Sequence, residues 1–177
     1  MAEHRGSEII AGGGITVIRS VSKTRPADTT AYAAGDVINE STSAGTVWTF
    51  ADAARMLGGS GIINKVEIVD YAYVATTLQC ELWLFNTTVG ADFDNAVFTP
   101  TDAELLTRVA VIPISTAYVG DATAGTGGNV SLTSGVVNQS FKCAIADDSL
   151  YGVLVARNAY VPISGEIFNI QLFIYQD

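Results

Sequence analysis

The stretch 166–176 reads EIFNIQLFIYQ and decides the class of fold. Apolar side chains occupy every second position from Phe168 to Ile174, and Asn169 and Gln171 stand between them. Successive side chains of a strand point to opposite faces, so this alternation places the apolar set against a core and the amides toward water. The stretch therefore predicts a half-buried antiparallel strand.

The same two-residue period recurs along the chain, where runs of β-branched and aromatic residues are separated by Gly, Asn, Asp and Ser. Strands are predicted over residues 15–23, 46–50, 62–70, 76–86, 108–114, 141–145, 150–157 and 166–176. Without long intervening helices they cannot form parallel β-α-β units. We expect an all-β fold, an antiparallel β-sandwich of jelly-roll-like form.

One short helix is predicted near residues 100–106. Thr99 is expected to cap it, Pro100 suits the first helical position, and Asp102 or Glu104 can reach back to free amides. Residues 51–57 predict a helical turn or loop that ends at two glycines.

Two segments depart from the strand pattern. Residues 1–14 end in three glycines, which predicts a flexible N-terminal arm ahead of a single β-sandwich domain over residues 15–177. We expect the arm to order only on contact with a partner, by adding a strand to a sheet edge. Residues 119–135 are rich in glycine and predict a long loop.

Charge narrows the range of partners. The net charge is −9, from 9 basic and 18 acidic residues, and the basic residues are scattered. Nucleic acids need clustered Lys and Arg, so we expect no nucleic-acid partner. No stretch approaches the roughly 20 apolar residues of a membrane-spanning helix or resembles a signal-peptide core, so we expect no membrane partner and assembly in a cytoplasm.

Cys80 and Cys143 invite a disulfide interpretation, but the pattern around each favours burial. Cys80 alternates with Leu82 and Leu84, and Cys143 alternates with Phe141 and Ile145. Both thiols are predicted to point into the core, where a free cysteine behaves as a small hydrophobe. We expect both to be reduced, and two cysteines alone cannot form a structural zinc site.

The sequence offers little catalytic chemistry. His4, the only histidine, lies in the expected arm, so it cannot hold an activated nucleophile or a metal in fixed geometry. The run Asp92, Asp94, Asn95 lacks the further ligands of a calcium loop and predicts a solvated turn, as does the pair 147–148. The glycine clusters lack the Lys of a phosphate loop. We expect no catalytic residues, no metal, no cofactor and no enzymatic activity.

Aromatic residues carry the most credible binding chemistry. Trp83 and Phe85 are predicted to lie on the strand face opposite Leu82 and Leu84, and Trp48, Tyr71 and Tyr73 could extend that surface. Exposed aromatic platforms bind sugars or form subunit interfaces, whereas buried ones fill the core of a sandwich. All three alternatives stay open, and the binding residues are not identified.

Three segments carry a resemblance to a known class of proteins. They are the stretch 30–38, TAYAAGDVI, then 59–63, GSGII, and 82–86, LWLFN. They resemble virion structural proteins of tailed and marine bacteriophages, of the head decoration or cement type. The resemblance spans residues 28–175 and rests on turns at the level of the fold. It implies a virion protein that is assembled in the host cytoplasm and that coats or clamps a capsid. The resemblance provides no catalytic residues that could be assigned to this chain.

The leading hypothesis is a capsid decoration or cement protein that stabilises the shell through self-association and contact with the major capsid protein. We expect a homotrimer, because low charge and exposed aromatics imply a surface that prefers a partner and jelly-roll virion proteins are commonly three-fold. The alternative is a carbohydrate- or receptor-binding module of a phage tail or fibre that uses Trp83. A hydrolase with two carboxylates is a third hypothesis.

Overall fold

A computed structural model describes residues 14–72, 74, 76–120 and 130–177. It contains ten strands and one short helix in these residues. They are β1 (Ile15–Thr24), β2 (Val37–Ile38), β3 (Trp48–Phe50), β4 (Ser60–Asp70), β5 (Cys80–Phe85), α1 (Asp102–Leu105), β6 (Arg108–Ile114), β7 (Thr116–Val119), β8 (Val130–Lys142), β9 (Leu150–Ala156) and β10 (Ile167–Gln176). No helix among the described residues is long and apolar enough to cross a membrane.

The strands form two antiparallel sheets. The first has the order β1-β10-β4-β8-β7, and the second has the order β2-β9-β5-β6 with β3 also paired to β9. When the short β3 and β7 are set aside, the first of eight strands pairs with the last, the second with the seventh, the third with the sixth and the fourth with the fifth. This nested pairing is the order of a jelly roll. The prediction of an all-β antiparallel sandwich is confirmed.

The main core lies between the two sheets. As the alternation in 166–176 predicts, Phe168, Ile170, Leu172 and Ile174 of β10 are all buried there. Leu82 and Leu84 of β5, with the inward residues of β6 and β9, meet them from the second sheet. Period-two patterning therefore identified the inner face of the sandwich correctly.

A second, smaller core covers the outer face of the second sheet. Phe85, Val153 and Val155 point away from the main core and pack with Val37 and Val89. Because both faces of β9 are buried, its sequence LYGVLVA is a nearly continuous apolar run instead of an alternating one. The first sheet has no such cover from the described residues over its most exposed outward side chains, Ile18 and Val136.

The largest departure from the sequence prediction concerns β8. It begins at Val130 and ends at Lys142, so its first residues replace part of the loop expected over 119–135, and the strand expected over 141–145 is only its end. Register shifts opposite Lys65 and a positive φ of 70° at Gly135 interrupt its two-residue period. Beyond this strand the chain turns, and Ile145 is exposed instead of facing the core. Residues 121–129 lie outside the described residues.

The short helix forms where it is predicted, with a different cap. Thr101, and not Thr99, is the N-cap, and Pro100 precedes the helix. The Thr101 side chain accepts a hydrogen bond from the Glu104 amide, and the Glu104 carboxylate accepts one from the Thr101 amide. This is a capping box, which provides hydrogen-bond acceptors for two backbone amides that have none within the helix.

The expected N-terminal arm falls almost wholly outside the described residues, as do His4 and Tyr73. Of residues 1–14 the structure describes Gly14 alone. A Cβ atom at this position would lie 2.2 Å from the Tyr175 ring, so a larger residue here would require the Tyr175 side chain to move.

Candidate functional site

Two acidic side chains meet one tyrosine inside the protein at the end of β4. Asp70 ends β4, Glu166 precedes β10, and Tyr160 lies in the connection between β9 and β10. The Tyr160 hydroxyl is a hydrogen-bond partner of both carboxyl groups, and its oxygen lies 3.3 Å from Asp70 Oδ2. The backbone amide of Ala72 donates to Asp70 Oδ1 at 2.9 Å, and that of Ile163 donates to Glu166 Oε2 at 3.1 Å.

The surroundings keep this carboxyl pair from ionising fully. Burial, and then the charge of Glu166, raise the pKa of Asp70 to about 9. Burial also raises the pKa of Glu166 and, together with both neighbouring carboxyl groups, that of the Tyr160 hydroxyl. Two carboxylates in contact cannot both be charged out of water, so the pair holds a proton at neutral pH.

A second buried polar group lies beside the first. Asp94 accepts hydrogen bonds from the Tyr32 hydroxyl at 2.6 Å and from the Asn39 amide at 2.8 Å, and Arg25 pairs with it at 3.2 Å. The Arg25 Nε also donates to the Tyr32 hydroxyl oxygen at 2.9 Å. The structure corrects the prediction of a solvated turn here, because Asp94 is a buried, ion-paired carboxylate.

Stacked tyrosine rings join the two groups into one buried polar network. The rings of Tyr32 and Tyr160 stack with centroids 6.4 Å apart, and their backbones pair in an isolated antiparallel bridge. The Arg25 amide donates to the Glu166 carbonyl, which ties the end of β1 to the start of β10. The network thus closes one end of the sandwich. Buried charged groups are tolerated only when paired and hydrogen bonded in this way.

The network has the raised pKa values of an acid-base site, but a substrate cannot reach it from solvent. Asp70, Tyr160 and Glu166 each expose 3% or less of their surface. A substrate must reach a general acid within hydrogen-bond distance, and these groups are sealed from solvent. Sequence reasoning did not identify this network. Its only signal is that Arg25, Asp70 and Glu166 stand directly at strand ends, where polar residues are commonly turn residues.

The predicted aromatic surface does not form as a continuous platform. Trp48 and Phe85 are fully buried, in the main core and in the second core respectively. Trp83 is half-buried, with the Phe98 ring against it edge to face at 5.1 Å and the Arg108 guanidinium over its face at 5.3 Å. Tyr71 is exposed. Trp83 therefore packs between its own neighbours, and Arg108 already occupies a face of its ring.

The other acidic turn is built as predicted. Asp147 Oδ1 accepts a hydrogen bond from the Ser149 amide at 2.9 Å, and Oδ2 accepts one from the Tyr151 hydroxyl at 2.6 Å. The Tyr151 hydrogen bond lowers the pKa of Asp147. Among the described residues, no group of three or more His, Cys, Asp or Glu side chains is placed to hold a metal ion.

Both cysteines are buried, as predicted. Cys80 lies in the main core, and Cys143 lies at its margin just beyond the end of β8. Neither forms a disulfide. Burial raises the pKa of the Cys80 thiol, and burial together with the charge of Asp147 raises that of Cys143 to about 11.

A small cavity lies beside the short helix. It has a volume of about 220 Å³, and Phe85, Phe98 and Glu104 are among its lining residues. The Glu104 carboxylate at its rim is already engaged by the Gly90 amide at 2.6 Å and by the capping box. Through these contacts Glu104 has a structural role, because it anchors the segment that forms the second core.

An exposed apolar tip lies at the end of the sandwich opposite the buried network. Met56, Leu57 and Ile145 expose 69%, 62% and 92% of their surface. The two turns that carry them are joined, because the Gly58 amide donates to the Asp147 carbonyl at 2.8 Å and the Ala54 amide donates to the Asp148 carbonyl at 2.9 Å. The tip is therefore held on a paired backbone, as a binding surface requires.

Comparison with known proteins adds little to this description. No family model matches the chain, and no curated protein matches it. Among solved structures, a chain from the capsid of Ralstonia phage GP4 is 16% identical, with a TM-score of 0.40, over 94% of this chain and 86% of its own length. A likeness this loose carries no argument about fold or function.

Proposed function

We propose that this chain is a structural protein of a bacteriophage particle, acting as a capsid decoration or cement protein. It binds the major capsid protein, self-associates as a homotrimer and stabilises the shell in the virion after assembly in the host cytoplasm. The single observation that carries this proposal is the exposed apolar tip, Met56, Leu57 and Ile145. Large apolar side chains held in water on paired turns are typical of a protein contact surface.

The rest of the molecule is compatible with a role in protein contact. Its buried acidic groups are out of reach of a substrate, so we propose that it is not an enzyme. Trp83 is occupied by Phe98 and Arg108, which weighs against the alternative of a carbohydrate- or receptor-binding module. The jelly roll and the resemblance of segments 30–38, 59–63 and 82–86 to phage decoration proteins support the class of protein, at the level of the fold.

Stabilisation of a shell would follow from mass action. A protein that binds only the assembled shell lowers the free energy of that state, and each contact across a joint between capsid subunits opposes their separation. Burial of Leu57 and Ile145 against a capsid subunit would contribute about 1.5–3 kcal/mol for each side chain. Several copies around one joint multiply that contribution.

Co-sedimentation with purified phage shells tests the proposal. The doubly substituted Leu57→Ser, Ile145→Ser protein should bind shells about tenfold or more weakly than the wild type, because each substitution removes burial worth more than 1 kcal/mol. Val161→Ser is the matched control, since Val161 is also exposed but lies beside Tyr160, at the end of the sandwich opposite the tip. Equal binding by all three proteins would contradict the tip assignment.

Two further measurements separate the parts of the proposal. We expect no binding to a glycan array, and specific binding to any of its glycans would favour the receptor-binding alternative. A truncation that starts at Ile15 should fold and melt almost normally yet bind shells or assemble poorly, as the predicted arm requires. Unchanged binding and assembly by the truncated chain would remove the arm from the proposal.

A further inference from the structure

The described residues leave the outer face of the first sheet exposed at Ile18 and Val136, whereas they cover the outer face of the second sheet with the second core. Register places Ile18, Phe173, Lys65 and Val136 in one row across β1, β10, β4 and β8, and Tyr175 and Ile62 stand opposite each other in the next row. Directly opposed residues of an antiparallel pair have Cβ atoms about 5 Å apart on the same face. These side chains therefore form one contiguous surface, the sheet-face patch. Ile18 exposes 54% and Val136 exposes 80%.

The charge on this face differs from that of the whole chain. The charged side chains that the four long strands direct outward are Lys65, Glu67 and Lys142. Lys65 pairs with Glu67 at 2.8 Å and lies over the Phe173 ring at 4.2 Å. Asp177, directly after β10, adds a negative charge at the end of this face, so the face is close to neutral in a chain whose net charge is −9. Depletion of charge at the centre of a patch is typical of protein interfaces.

The sheet face has the area that a stable contact needs. Four strands of about ten residues span roughly 20 Å by 33 Å, or about 650 Å² in projection. A standard interface buries about 600–1,000 Å² on each partner, so the area of this face falls within the standard range. A strongly acidic chain repels its copies over most of its surface, and this nearly neutral face is where a neighbouring copy can bind with little repulsion.

Edge-to-edge pairing through β1 is the competing route to self-association, and the side chains disfavour it. Arg19 and Lys23 point inward from this edge strand. The Arg19 Nε donates to the Asp52 carbonyl at 2.8 Å, and the Lys23 Nζ donates to the Asn39 side chain at 2.6 Å and pairs with Glu40. Inward-pointing charges on an edge strand protect it against pairing with another sheet. The face is therefore the better surface for a second copy.

We propose that the sheet-face patch, formed by Ile18, Ile62, Lys65, Val136, Phe173 and Tyr175, is the surface through which copies of this chain pack against one another. This inference rests on the self-association in the proposed function and adds the surface that produces it. The patch lies on a face of the sandwich, apart from the apolar tip at its end. One copy can therefore use the tip for the shell while the face holds its neighbours.

Sedimentation or light scattering of four charge variants tests the assignment. Ile18→Glu and Val136→Glu place a carboxylate in the patch, whereas Val161→Glu and Leu106→Glu place the same charge at comparably exposed apolar positions outside it. All four positions are on the surface, so the melting temperatures should stay near that of the wild type. The two patch variants should dissociate toward the subunit mass of 18.6 kDa, with a dissociation constant raised about tenfold or more, and the two controls should not.

The outcomes separate this inference from the proposed function. An oligomeric wild type whose patch variants remain oligomeric overturns the patch and leaves the proposed function standing. Patch variants that dissociate, from a wild type that does not bind shells, support the patch and overturn the decoration role. A wild type that is monomeric at micromolar concentration overturns the patch as a site for a second copy, and points to another occupant of this face, such as the chain's own N-terminal residues.

Discussion

Replacing Asp70 with Asn should remove a pH dependence of stability that the wild type carries. Asp70 has an ordinary pKa of 3.8 when unfolded, and burial next to Glu166 raises that pKa to about 9 in the folded protein. Between these two values the folded state binds one more proton than the unfolded state. The stabilising effect of this proton is complete below the unfolded pKa and is lost as the pH rises through the folded pKa.

The magnitude follows from proton linkage. Because the folded state binds one more proton, the free energy of unfolding falls by about 1.4 kcal/mol for each unit by which the pH rises. The wild type should therefore lose about 4 kcal/mol of stability between pH 5 and pH 8. The amide of the Asp70→Asn variant can accept from the Ala72 amide and donate to Glu166, but it cannot ionise. Its stability should change much less over this interval and should exceed that of the wild type at pH 8.

Urea unfolding at half-unit steps from pH 5 to pH 8 measures this slope. Glu166, whose pKa burial also raises, belongs to the same pair and contributes to the same slope, whereas the lowered pKa values of carboxyls such as Asp147 and Glu104 act at lower pH and the raised pKa of Cys143 acts at higher pH. His4, the only histidine, is controlled by a His4→Gln variant. A wild type whose stability is flat from pH 5 to pH 8 would refute the shared proton, and an Asp70→Asn variant with the wild-type slope would show that Asp70 does not carry it.

Three further predictions concern packing and capping. Cys80 and Cys143 should react with a thiol reagent only after unfolding, because burial raises both pKa values and blocks access; rapid labelling of the native protein would contradict their placement. Leu154→Ala should lower the free energy of unfolding by about 2–5 kcal/mol in a urea titration, since Leu154 is fully buried in the main core. Thr101→Ala should cost about 1 kcal/mol in the same assay through loss of the capping box, and Thr99→Ala should cost less.

The sequence identified those parts of the fold in which local pattern and burial agree. In β10 every inward position from Phe168 to Ile174 is apolar, so the strand and its inner face were both predicted. In β8 a bulge near Gly135 shifts the period, and the pattern there resembles a loop. Phe85 was placed on the correct face, but the pattern left open whether that face binds a sugar, meets another subunit or is buried, because sequence periodicity cannot reveal that residues from another segment cover it.

The candidate sites were predicted less well than the fold, for a physical reason. Asp70, Asp94 and Glu166 are distant in sequence, and each resembles an ordinary turn residue until the fold brings Tyr32 and Tyr160 between them. The apolar tip depends on two turns that meet through backbone hydrogen bonds, and the sequence records only that each contains apolar residues. Contacts of this kind are set by topology, so no local pattern encodes them.

The distance between the apolar tip and the buried polar network has a consequence for the proposed function. β4 begins next to the turn that carries Met56 and Leu57 and ends at Asp70, so its 11 residues separate the tip from the buried network by about 35 Å. A substitution in the network that leaves the fold intact should therefore change stability without changing contacts at the tip. Asp70→Asn should bind shells as the wild type does, whereas Leu57→Ser, Ile145→Ser should lose binding at unchanged pH dependence. If Asp70→Asn weakened shell binding while folded, the two ends would be coupled, and the apolar tip could not act as an independent contact surface.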